Sequence, residues 1–205
     1  MIIELYNFLR SFLKVVDWES FIAIYLKSKE DVKSLLKGKP ASHSRYLYIQ
    51  KSFEHLNMKF KPDLVYDATN VYWNYILSKM ELFPDVEDVL KALKREHIQI
   101  GIITDLTADI QFMKLKNLGI DRYIDYLVTS EEVDADKPDT KMQELLLKKM
   151  GLGKDEVIII GNNPKTDIQL ANDSGVESVL FDFNKKYDVE ERNNPTYYTN
   201  HFRDI

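Results

Sequence analysis

The sequence predicts a two-part α/β protein, with a helical lobe over residues 1 to about 80 and a doubly wound parallel sheet from about 81 to 205. Three observations predict it. Up to about residue 80 the apolar residues recur at helical spacing. From Phe83 onward, helical stretches alternate with short apolar runs. Those runs are rich in isoleucine and bounded by polar residues, as strands buried on both faces should be.

In the stretch IIELYNFLRSFLKVV, polar Glu4, Asn7, Ser11 and Lys14 recur at helical spacing and leave Leu5, Leu9, Phe12 and Val16 on the opposite side. Asp17 is placed to cap a second helix, WESFIAIYLKS, and a third, KEDVKSLLK, stops at Gly38, where a left-handed residue costs least. After the polar turn GKPASHS come RYLYIQKSFEHL and PDLVYDATNVYWNYILSKM, both amphipathic and rich in aromatics. Pro84 and Asp85 then open the helix VEDVLKALKRE, and strand IQIGIIT follows. The unit repeats as helix ADIQFMKLKNLG with strand YIDYLVT, TKMQELLLKKMG with EVIIIG, and TDIQLANDSG with ESVLFDF.

Composition narrows the function classes. A chain of 205 residues with 44% hydrophobic content can bury a sizeable core. Lys+Arg 28 against Asp+Glu 33 gives a net charge of -5 with no basic stripe, which argues against nucleic acid as a partner. Cys 0 excludes disulfides, thiolate catalysis and zinc–thiolate sites and suits a reducing compartment, so a cytoplasmic location is expected. The apolar N-terminus is interrupted too often by Glu4, Asn7, Arg10 and Lys14 for a signal peptide or a membrane span.

In doubly wound sheets, ligands bind beyond the carboxyl ends of the strands. IQIGIIT ends in Thr104 followed by Asp105. YLVTSEEVDADKPD carries Lys137 in a polar loop, and EVIIIGNNPKTDI ends in Gly161 and Asn162 with Asp167 five residues beyond. Each residue alone has a plain structural role: a turn threonine, a solvated lysine, a helix-start aspartate. Together, a hydroxyl, an ammonium and a carboxylate on three strand ends suit a phosphate, which two donors neutralise while the acid helps to organise a cation.

On these residues the chain resembles the haloacid dehalogenase-like superfamily of hydrolases, most of them phosphatases, from about Pro84 to the C-terminus. The resemblance implies that Thr104 binds phosphate, that Lys137 before its proline neutralises it, and that Gly161, Asn162 and Asp167 match the family's metal-organising motif, with magnesium as cofactor. The helical lobe resembles the family's cap, whose side chains close over the substrate. Arg45, with Thr104, Asp105 and Lys137, is then a candidate for binding the phosphate of a small phosphorylated metabolite. His43 and Arg45 are both weighed against a lobe-surface or capping role.

Two departures qualify the resemblance. The family's nucleophile is an aspartate in a D-x-D motif ending the first strand. This sequence has no such strand. VLFDFN fits the fifth strand, with Asp182 expected at its surface, and Asn7 in IIELYNFLRSF sits on helical spacing and cannot form an acyl-phosphate. The second departure is Asn162, a neutral carbonyl where a metal-binding carboxylate is expected, so magnesium binding should be weak or absent. The family's first strand lies between those ending at Thr104 and Gly161. The expectation is therefore that the strands pair directly, that another chain donates a strand, or that the natural protein begins upstream of Met1; the last is favoured.

The function expected is a phosphatase by ancestry, inactive in the chain as it stands. One alternative is a non-catalytic relative that binds a phosphometabolite or a partner, and another is a metal-independent dehalogenase-like hydrolase. A receiver-type signalling domain fits less well, because TSEE lies in a long loop and no acid ends a middle strand. An incomplete sheet and an aromatic-rich lobe favour homo-oligomers.

Overall fold

The computed structural model describes residues 1–13 and 16–205. The chain divides into two compact units, Met1–Met80 and Glu81–Ile205.

The first unit is helical: α1 (Ile2–Leu9), α2 (Trp18–Leu35), α3 (Arg45–His55) and α4 (Pro62–Lys79). Helix α1 is shorter than the sequence predicts, ending at Leu9 and passing into turns at Arg10 to Phe12, and the expected positions at Lys14 and Val15 lie outside the described residues. Asp17 caps α2 by accepting from the Ser20 N–H at 2.7 Å. The second and third predicted helices are one, because SKED carries no breaker and Ser28 bonds back to the Ile24 carbonyl within the helix. Leu5, Leu9, Phe21, Tyr48, Ile49 and Phe53 form the buried centre. Gly38 is left-handed, as the turn requires.

The second unit alternates: α5 (Val86–Arg95), β1 (Gly101–Thr104), α6 (Ala108–Leu118), β2 (Tyr126–Thr129), α7 (Ser130–Val133), α8 (Lys141–Met150), β3 (Ile158–Gly161), α9 (Gln169–Ser174), β4 (Glu177–Phe181) and β5 (Tyr197–Thr199). All pairings are parallel, the α/β class the sequence predicts. The strands nevertheless form two sheets. Strand β1 pairs with β2, in register Gly101 to Tyr126, and a separate sheet has the order β3-β4-β5. Direct pairing of the strands ending at Thr104 and Gly161 is therefore not found among the described residues.

Two local expectations are corrected, and one strand is added. Ser130–Val133 is a one-turn helix rather than open loop. Asp182 is 4% exposed, not a surface residue, and its carboxylate accepts the Lys186 and Tyr187 N–H groups at 2.9 and 3.0 Å, closing the turn after β4. Strand β5, in the polar stretch NNPTYYT, has no apolar run to announce it; its Thr199 carbonyl accepts the Asp182 N–H. Among the described residues no helix is long and apolar enough to cross a membrane.

Asp125 fastens the start of β1 to the start of β2. It accepts from Lys94 Nζ at 2.7 Å and from the Ile100 N–H at 2.7 Å. The Lys94 ammonium first, and then the Ile100 amide, hold its carboxyl below the usual aspartate range. A lowered folded pKa contributes stability above the unfolded value, and that contribution is lost as pH falls through the folded one. Asp125→Asn should therefore cost about 1 kcal/mol at neutral pH, given the partial exposure of the pair. Denaturant melts of both proteins should show the difference narrowing below about pH 4.

Candidate active site

The candidate residues leave the sheets at one end. Thr104 closes β1, and Asp105 follows it. Gln111, one turn into α6, donates from Nε2 to Thr104 Oγ1 at 2.7 Å and to the Asp105 carbonyl at 2.6 Å. The amide fixes the threonine hydroxyl, which itself donates to the Asp105 carbonyl at 3.2 Å. Leu106 is left-handed at φ 94, strained for a branched side chain. Fully buried Ser130 brackets it: the Leu106 N–H donates to Ser130 Oγ at 3.1 Å, and that hydroxyl lies 3.4 Å from the Leu106 carbonyl. Glu131 accepts the Ala108 N–H at 2.9 Å, so the SEE turn after β2 shapes the loop after β1.

Lys137 joins the two sheets. Its backbone N–H donates to Asp105 Oδ1 at 2.9 Å, after β1, and its Nζ donates to Asp167 Oδ1 at 2.7 Å, after β3. The side chains of this pair are only 16% and 10% exposed. The other Asp167 oxygen accepts the Asn162 and Asn163 N–H groups, each at 3.0 Å. This grip explains Gly161: a Cβ there would lie 2.2 Å from the Asp167 Cβ, so any side chain drives the carboxylate off its partners.

Thr104, Asp105, Lys137 and Asp167 are thus joined by a continuous path of contacts. Asn162 joins through its backbone, with its residue surface exposed. Arg45 stands in the first unit, where its guanidinium lies 4.9 to 5.5 Å from the ring centres of Tyr48, Tyr72 and Trp73 and donates to the His43 carbonyl. Gln111, Ser130 and Glu131 were not marked as site residues by the sequence. Only the SEE turn carried a signal, and it does not distinguish a positioning role from a turn.

The donor set does not fit magnesium. Both Asp167 oxygens are taken, one by an ammonium and the other by two amides. No group of three His, Cys, Asp or Glu residues placed to hold a metal occurs among the described residues. A hard dication needs several oxygen ligands with net negative charge, and a carboxylate bound to Lys137 offers neither a spare oxygen nor a spare charge.

Breaking the buried pair leaves a charge without its partner. Lys137→Met and Asp167→Asn should each cost roughly 3 kcal/mol, and the double variant about the same rather than the sum. Equilibrium unfolding of the four proteins measures this; additive losses would show that the pair is not a unit.

A sequence profile described as haloacid dehalogenase-like hydrolase matches residues 12–181. The chain is 35% identical over 175 residues to ribulose-1,5-bisphosphate 5-phosphatase of Halopiger xanaduensis, covering 85% of this chain and 73% of that protein. It is 29% identical over 147 residues to glyceraldehyde 3-phosphate phosphatase of Methanocaldococcus jannaschii, covering 72% of this chain and 64% of that one. Among solved structures, a 2-haloacid dehalogenase from Pseudomonas syringae superposes with TM-score 0.75 at 18% identity, covering 98% of this chain and 85% of that one. A phosphatase from Thermococcus onnurineus gives 0.71 at 20%, covering 99% and 86%. At those identities the structural likeness carries the fold alone.

Proposed function

This chain belongs to the haloacid dehalogenase-like hydrolase family, and from that premise we propose that it is a phosphatase-line member whose crevice binds a small phosphorylated metabolite without hydrolysing it. The observation that supports this reading is the path Thr104–Asp105–Lys137–Asp167, in a chain whose relatives by sequence are named phosphatases.

The chemistry divides among this chain's own residues. An ammonium carries three donors and Asp167 takes one, so Lys137 retains two for phosphoryl oxygens. The Thr104 hydroxyl, placed by Gln111, donates to the Asp105 carbonyl and would turn its one proton to phosphate only by giving up that bond. Asp167 holds the ammonium in place and balances its charge when phosphate is absent. The backbone around Leu106, pinned by Ser130, keeps the threonine end of the crevice in shape.

The missing step is nucleophilic attack. In a mechanism of this class a carboxylate forms the acyl-phosphate. Of the two acids in the path, Asp167 is bound through both oxygens, and Asp105 accepts the Lys137 N–H. Neither is presented as a nucleophile, and no D-x-D motif ends a strand among the described residues. A neutral Asn162 and a fully engaged Asp167 agree with a site that has no use for magnesium. We assign residues 1–80 to the family's helical cap and place the protein in the cytoplasm, in keeping with Cys 0.

Phosphate-ester turnover with magnesium present should match that of Lys137→Ala, while the same substitution should weaken binding of a sugar phosphate at least tenfold. Calorimetry and a released-phosphate assay read the two quantities separately. Turnover well above the control refutes the non-catalytic reading, and unchanged binding refutes the site.

A further inference from the structure

We infer that Gln111 is a positioning residue that sets the polarity of the threonine end of the crevice: it holds the Thr104 oxygen so that the hydroxyl proton is delivered to an acceptor on the ligand. The class of ligand favoured is a fully ionised oxyanion, the dianionic phosphoryl group of a monoester. The inference rests on the phosphate reading and adds the protonation form which that reading requires.

One atom with no choice of role fixes the direction of each bond. The Asp105 carbonyl can only accept, and the end of the Gln111 side chain lies 2.6 Å from it, so that end is the amide nitrogen Nε2. The same nitrogen lies 2.7 Å from Thr104 Oγ1. An amide nitrogen donates and does not accept, so the hydroxyl oxygen accepts there and its single proton must point away from Gln111. Without ligand that proton goes to the Asp105 carbonyl at 3.2 Å.

This last bond is the one that can be given up. It is the longest of the three and long for a hydroxyl donor, and the carbonyl that loses it keeps Gln111 Nε2 at 2.6 Å. Turning the hydroxyl to a ligand therefore strands no acceptor. Gln111 goes on holding the oxygen while the proton swings, so the site keeps its shape as it changes partner.

The loop does not need Gln111 for its own course. The Leu106 N–H is held by Ser130 Oγ at 3.1 Å and the Ala108 N–H by Glu131 at 2.9 Å. Helix α6 starts with the Gln111 N–H donating to the Thr107 carbonyl at 3.3 Å, whatever side chain residue 111 carries. Yet Gln111 is 8% exposed, while apolar Phe112 and Met113 beside it face solvent at 59% and 40%. An amide is turned inward where an apolar side chain would be cheaper to bury, and the two bonds to Thr104 and Asp105 account for it.

The ligand follows from the proton. Above its second pKa, about 6, a phosphate monoester presents terminal oxygens that only accept. Lys137 supplies donors from the other side, so an acceptor-only group meets a donor at each contact.

Sulfate, whose oxygens only accept at neutral pH, is the probe. It is titrated into the whole chain at fixed ionic strength and followed by the amide resonances of Thr104 to Leu106. Gln111→Met should weaken binding at least fivefold in the wild-type chain and in Thr104→Ser, which keeps a hydroxyl. In Thr104→Val, which has none to direct, the same change should cost less than twofold. A glutamine that merely supports the loop would weaken all three alike. The ligand-free wild-type protein gives a second reading: the Gln111 side-chain amide protons should exchange at least tenfold more slowly than those of Gln50, whose amide meets Glu54 at an exposed position. Equal losses in the three backgrounds, or Gln111 protons exchanging as fast as those of Gln50, overturn the role of Gln111 alone. Wild-type protein that takes no sulfate overturns the phosphate reading and this inference with it.

Discussion

The contact between Lys137 and Asp167 is the constraint on which the second unit depends. It joins two sheets that share no ladder among the described residues. It also fixes the Lys137 ammonium against a carboxylate that is itself held by two backbone amides. A buried ion pair of this kind is seldom a large net source of stability, because desolvation offsets most of the attraction. Its value lies in specificity. With one partner removed, the other is left charged among groups that cannot replace it. The surrounding sequence reads as accommodation of that pair: Gly161 leaves room for the Asp167 side chain, Asp105 accepts the Lys137 amide, and Gln111 holds the residue before Asp105.

The same pair sets the chemistry. An aspartate whose oxygens are taken by an ammonium and two amides is a positioning group rather than a metal ligand. The site is accordingly better suited to an anion than to a dication. That assignment agrees with the neutral Asn162.

Much of this was legible in the sequence, for identifiable reasons. The parallel α/β class followed from isoleucine-rich runs such as IQIGIIT and EVIIIG, since strands covered on both faces need apolar side chains at every position. Thr104, Lys137 and Asp167 were legible because the ends of such strands are where side chains converge. Gln111 and Ser130 were hidden, since a helical glutamine and a serine at a helix start look alike whether they serve solvent or a neighbour elsewhere in the chain. Strand β5 was hidden because an edge strand covered on little of its surface can be polar. Asp182 misled for the opposite reason: a polar residue at a strand end reads as exposed, and only the turn that folds back over it, giving its carboxylate two amides, makes it a buried one.

The most direct measurement is a titration of isotope-labelled protein with inorganic phosphate, following backbone amide resonances. Binding as described predicts saturable shifts at Thr104 to Leu106, at Lys137 and at Asn162 and Asn163, abolished in Lys137→Met. Shifts confined to other surfaces, or the same shifts persisting without the lysine ammonium, would contradict it.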